Sequence, residues 1–93
     1  MRLKNKEIEI IKDTIQNYFG KSRVYLFGSR LDDSKKGGDI DLFVISEVKE
    51  NLYELKIKTK AKLKSLLNKP IDLIVHRDFS RKLEQEALQG VEL

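Results

Sequence analysis

The sequence predicts an α/β (α+β) fold: a small mixed sheet with helices packed on one face, in the order α-β-β-α-β-α. Three observations carry this. Two long windows repeat apolar residues at helical spacing. Three short apolar runs, at 24–27, 40–45 and 71–75, are bounded by glycine, proline and polar residues and read as buried strands. The second and third runs are separated by a long helical window, which makes those two strands parallel neighbours in one sheet.

Each element has a local reason. Asn5 caps a first helix that runs to about Phe19, with Ile8, Ile11, Ile15 and Tyr18 along one face. Gly20 supplies a left-handed stop. Val24-Tyr25-Leu26-Phe27 is the first strand and ends at Gly28-Ser29. Residues 30–38 are polar, close with Gly37-Gly38 and read as a loop. The second strand is Asp39-Ile40-Asp41-Leu42-Phe43-Val44-Ile45. A second helix spans about Lys49 to Leu67, with Leu52, Leu55, Thr59, Leu63 and Leu66 on its inner face and Lys56, Lys58, Lys60, Lys62 and Lys64 outside. Pro70 ends it, and Ile71-Asp72-Leu73-Ile74-Val75 is the third strand. Asp78 or Ser80 caps a last helix containing Leu83, Ala87 and Leu88, stopped at Gly90.

With 93 residues the chain is read as a single domain, 1–93. The 40% hydrophobic fraction permits a modest core, and the 37% charged fraction gives a densely charged surface. No stretch approaches the roughly 20 apolar residues of a membrane span, and the polar N-terminus is unlike a secretory signal. There is no cysteine and one histidine, His76. Disulfides and cysteine-held zinc are excluded, and a bound metal must be held mainly by oxygen, as magnesium is. These features point to the cytoplasm. The net charge of +4 suits a phosphate-rich ligand or an acidic partner.

The chemistry lies in Phe27-Gly28-Ser29-Arg30 and Gly38-Asp39-Ile40-Asp41-Leu42. Asp39 and Asp41 are two apart on a strand, so both carboxylates point to one side. Two like charges side by side are unfavourable unless a cation sits between them. Gly28 lets backbone N–H groups approach a phosphate, and Ser29 adds a hydroxyl donor. Arg30, Lys35 and Lys36 follow in the loop and can offset triphosphate charge, Arg30 foremost because it adjoins Ser29. Asp72, second in the third strand, falls near Asp39 and Asp41 if the two strands pair in parallel. A third carboxylate there can bind metal or accept a proton from an attacking hydroxyl. Each motif alone is weak; a glycine turn and three acids at the rim of one sheet make a metal-dependent phosphoryl-type transfer site.

This string resembles the DNA polymerase beta-like nucleotidyltransferase superfamily, and in particular its minimal stand-alone (MNT) branch. The matching pattern is Gly28-Ser29, nine residues, Asp39-Ile40-Asp41, and Asp72 within Pro70-Ile71-Asp72-Leu73-Ile74. Tyr25-Leu26-Phe27-Gly28-Ser29-Arg30 and the closing Gln89-Gly90-Val91-Glu92-Leu93 also look like the family. The resemblance implies that Asp39, Asp41 and Asp72 hold magnesium, two ions in all, around the triphosphate. It implies that Gly28 and Ser29 bind the outer phosphates and that Asp72 helps activate the acceptor. Members of this branch are often antitoxins paired with HEPN-domain ribonuclease toxins. The resemblance therefore implies transfer of AMP from ATP to a toxin tyrosine within a hetero-oligomer. The gap of nine residues rather than ten is a departure that a loop tolerates.

Three rivals follow from the same residues. A non-catalytic antitoxin would neutralise its partner by contact alone. A nucleic-acid-binding domain could use the lysine-rich helix, but the basic residues are spread around it and no base-reading motif is present. Transfer to a small molecule such as an aminoglycoside is disfavoured because no second substrate-binding domain is evident.

Overall fold

The structure is a computed structural model that describes residues 3–28 and 39–93. The chain order is α1 (Asn5–Phe19), β1 (Ser22–Phe27), β2 (Ile40–Ser46), α2 (Leu52–Leu67), β3 (Ile71–Val75), α3 (Lys82–Ala87) and β4 (Val91–Glu92). The four strands form one sheet in the order β3-β2-β1-β4. β1 runs antiparallel to β2 and to β4, while β2 and β3 are parallel, as the intervening helix requires.

Alternation along the strands sorts residues to two faces. On one face Val24, Leu26, Ile40, Leu42, Val44, Ile71, Leu73 and Val75 pack with Ile11, Ile15 and Phe19 of α1 and Leu63 of α2. On the other, Tyr25 and Phe43 pack with Ala87, flanked by Phe27, Ile45, Ile74 and Leu88. The two long helices thus cover one face, as the sequence predicts, and the short α3 covers part of the opposite face. The reason is that β1 and β2 are apolar on both sides, so the second side also needs a cover.

Several details differ from the sequence reading. Asn5 is the first residue of α1 rather than its cap; the preceding Lys4 N–H donates to the Glu7 carboxylate at 3.0 Å, which satisfies the helix start from within its first turn. Leu66 is exposed on α2, and Leu67 packs instead. α2 stops at Asn68, whose left-handed backbone (φ 53°) lets its N–H donate to the Lys64 carbonyl at 2.8 Å, two residues before Pro70. Neither Asp78 nor Ser80 caps α3. The Asp78 carboxylate instead accepts the Ser80 N–H and hydroxyl, and α3 begins after Arg81. Leu83 is exposed.

Two features leave no mark in the sequence pattern. β4 is two residues long, too short for alternation to register; it pairs Tyr25 with Glu92 and Leu26 with Val91. Gly90 leads into it, and a Cβ there would collide with the Leu26 carbonyl. The second is Glu84, which is completely buried. Its carboxylate accepts the His76 Nδ1–H at 2.6 Å, the Arg77 and Asp78 N–H groups at 2.8 and 3.0 Å, and the Arg81 guanidinium at 2.9 Å. Burial pushes the Glu84 carboxyl up, but the Asp78 N–H, the His76 ring and the Arg77 N–H outweigh it and hold the group below the ordinary glutamate value. His76 stacks on Phe79 with ring centres 3.9 Å apart, so this polar knot ties the β3–α3 connection together.

Candidate active site

The site begins with the register of three strands. β1 and β2 pair so that Phe27 faces Asp41, and β2 and β3 pair so that Asp41 faces Asp72. Phe27, Asp41 and Asp72 therefore form one row across the sheet, on the face that α3 shares. Asp39 comes one residue before β2 and shares the parity of Asp41. This places Asp39, Asp41 and Asp72 at one end of the sheet, where β1 ends and the parallel strands β2 and β3 begin.

Gly28 follows β1 directly. Its φ of 77° lies in the left-handed region, and a Cβ at this position would run into the Asp41 carboxylate. Glycine is thus needed twice, for the backbone turn and for the space beside an acid. Ser29 and Arg30, along with Lys35 and Lys36, lie outside the described residues.

The electrostatics follow from this crowding. Asp41 is half-buried. Burial, then the negative charges of Asp72 and Asp39, push its carboxyl above the ordinary aspartate value. Asp39 and Asp72 are exposed. Lys60, on α2, brings its ammonium to 4.0 Å from the Asp72 carboxylate. In sequence Lys60 is one of five lysines on an outer helix face; only the packing of α2 beside β3 distinguishes it.

Among the described residues, no three His, Cys, Asp or Glu side chains are gathered closely enough to enclose an ion. The donor chemistry nevertheless fits a hard cation. The acids are oxygen donors on adjacent strands, and the unfavourable negative potential at Asp41 is what a divalent ion relieves. Such an arrangement can grip a metal-bound phosphate and offer a carboxylate to a nearby hydroxyl.

Comparison with curated proteins finds no match. Solved structures with the same fold do match. A crystal structure of a MntA–HpeT toxin–antitoxin variant with two aspartate-to-glutamate changes is 27% identical, with a TM-score of 0.76 over 92% of this chain and 70% of that one. An MNT antitoxin in complex with a tri-AMPylated HEPN toxin of Shewanella oneidensis is 29% identical, with a TM-score of 0.67 over 90% of this chain and 64% of that one. A toxin–antitoxin structure with AMP-PNP is 25% identical, with a TM-score of 0.70 over 90% and 68%. The family model for polymerase beta nucleotidyltransferases matches residues 9–93, a span that takes in the Gly28 turn, all three rim acids and β4. With that match over nearly its whole length, the chain belongs to the polymerase beta nucleotidyltransferase family.

Proposed function

We propose that this chain is an antitoxin that transfers AMP from ATP to a tyrosine of a cognate HEPN ribonuclease toxin. The observation that carries the reading is the pairing of Asp41 with Asp72 across adjacent parallel strands, with Asp39 and Gly28 at the same rim. The AMPylated toxin in one structural neighbour and the ATP analogue in another supply the acceptor class and the donor.

In the proposed reaction the tyrosine oxygen attacks the α-phosphorus of ATP in line. A new P–O bond forms, the bond to the β-phosphate bridge breaks, and pyrophosphate leaves with its electron pair. Asp72 accepts the tyrosine proton. The Gly28 turn, with Ser29, holds the outer phosphates through N–H and hydroxyl donors, and Arg30 offsets their charge. Asp39, Asp41 and Asp72 would hold magnesium, two ions in all, which supplies positive charge to the entering and leaving oxygens. The described residues contain no helix long and apolar enough to cross a membrane, and we assign the reaction to the cytoplasm and to one domain spanning 1–93.

The test incubates the chain with its toxin, magnesium and labelled ATP. Label is expected on a toxin tyrosine, and loss of label is expected for the double change Asp39→Asn and Asp41→Asn. Toxin inhibition that persists undiminished in the double variant would instead establish neutralisation by contact.

A further inference from the structure

On the face that α3 shares, the strand register lays out three successive rows, and α3 covers the middle one. That row is Tyr25, Phe43 and Ile74, packed with Ala87. On one side of it lies the acid row of Phe27, Asp41 and Asp72. On the other side Arg23 pairs with Ile45. His76 falls beside Ile45, one step past the last β2–β3 pair, and its N–H donates to the Val44 carbonyl at 2.8 Å. Arg23, Ile45 and His76 are thus the third row, about 13 Å along the strands from the acids. They line a cavity of about 420 Å³, whose lining also includes Lys21, Glu47 and Lys49.

Two polar groups in this row are fixed from one side and open on the other. The Arg23 guanidinium donates from Nε and Nη2 to the Glu92 carboxylate at 3.2 and 3.1 Å, and from Nη2 to the Tyr25 hydroxyl at 2.6 Å. Its Nη1 has no hydrogen-bond partner among the described residues. The His76 ring donates from Nδ1 to the buried Glu84 carboxylate at 2.6 Å and stacks on Phe79. Its Nε2 also has no partner there. Nε2 is not sealed in either: among the described residues, the enclosed side-chain polar atom without a partner is the Thr59 hydroxyl oxygen. Groups held in place beforehand lose little freedom when a ligand arrives. Glu92 balances Arg23, so exposed Lys21 and Lys49 against Glu47 leave the cavity positive.

We propose that this third row is a second binding site, for an organic phosphate monoester of mononucleotide size. Lys21, Lys49 and the open Nη1 of Arg23 take the phosphate oxygens. Ile45 carries the apolar face of the ligand, and His76 Nε2 accepts from a ligand hydroxyl. The cavity volume lies within the range of small-molecule sites. A carboxylate-oriented imidazole also suits a metal ion, but the positive surroundings disfavour a cation here and favour an anion. The site is separate from the acid rim, with the α3-covered row between them, so it does not depend on AMP transfer.

The experiment uses the full chain carrying Asp39→Asn and Asp41→Asn, in EDTA, so that the acid rim holds no metal-bound nucleotide. AMP is the probe, followed by calorimetry and by amide NMR shifts. Saturable binding is expected, with shifts at Arg23, Ile45 and His76 and none at Gly28 or Asp72. Lys21→Glu with Lys49→Glu should weaken it by roughly tenfold or more. Lys62→Glu with Lys64→Glu, an equal change in net charge on the outer face of α2, should leave it unchanged. Adenosine and inorganic phosphate should each bind at least about tenfold more weakly than AMP, since each lacks half of the contacts. His76→Gln should weaken AMP in a chain whose circular dichroism matches the parent's. No shift at the third row at millimolar AMP, or shifts confined to the acid rim, would overturn the site. So would equal affinity in the Lys21, Lys49 and Lys62, Lys64 pairs. Inorganic phosphate binding as tightly as AMP would overturn the organic ligand. Loss of toxin labelling in the parent chain would count against the transfer reaction alone.

Discussion

Gly28 carries two constraints at one Cα, a positive φ and the nearness of the Asp41 carboxylate. Gly28→Ala should therefore cost about 1–3 kcal/mol in backbone strain and displace Asp41 as well. Urea denaturation reads the first effect and toxin labelling the second; a stable, fully active alanine variant would contradict the geometry. Asp41 makes the opposite case. Its carboxyl sits above the ordinary value because of burial and the charges of Asp72 and Asp39. A group raised on folding contributes stability below its unfolded pKa and loses it as pH rises through its folded pKa, so at neutral pH the Asp41 charge destabilises the ligand-free fold. Asp41→Asn should raise the melting temperature at pH 7, by a few degrees at most because a half-exposed charge is screened. The same change should reduce AMP transfer by roughly 10²–10³-fold. Magnesium with ATP should stabilise the parent more than the variant in a thermal-shift assay. These residues were legible in the sequence because their chemistry is local: a glycine after an apolar run and two acids at strand spacing. Lys60 was not, since nothing in its neighbourhood separates it from Lys58 or Lys62 until α2 is laid against β3.

At the level of elements, the strands and long helices followed from periodicity, and their boundaries moved by only a few residues. The last third of the chain was less readable. Glu84 looks in sequence like any exposed helical glutamate, yet it is buried and bound by four donors. Such a role arises from chain reversal between β3 and α3, which no linear spacing records. Glu84→Gln removes the charge that the His76 ring and Arg81 face, and it should destabilise the protein by about 2–4 kcal/mol. Because folding lowers this carboxyl below 4.5, its stabilisation is present above the unfolded value and is lost as pH falls through the lowered one. Acid unfolding of the parent should therefore be steeper than that of the glutamine variant, as followed by circular dichroism. The last helix was read as longer than the six residues of α3, and β4 was not read at all, for a related reason: six and two residues give too few repeats for either period to mark their ends.

For the molecule as a whole, one core joins α1, α2 and the sheet, and Leu63 is fully buried within it. Leu63→Ala should cost about 2–5 kcal/mol, read from denaturant midpoints, and should reduce toxin binding and transfer together wherever the fold is lost. The Asp39→Asn, Asp41→Asn pair should separate them, keeping a folded toxin complex that no longer transfers AMP. The row formed by Phe27, Asp41 and Asp72 has one last implication. In β2 the parity that sends Leu42 and Val44 inward is the parity that sends Asp41 out. Inserting a single amino acid between Asp41 and Leu42 would set these two demands against each other, because either the aliphatic side chains or the acid must then take the wrong side. Evolution of this strand is consequently confined to substitution: its foldability and its reactivity are written in the same two-residue rhythm, and a frame change in one erases the other.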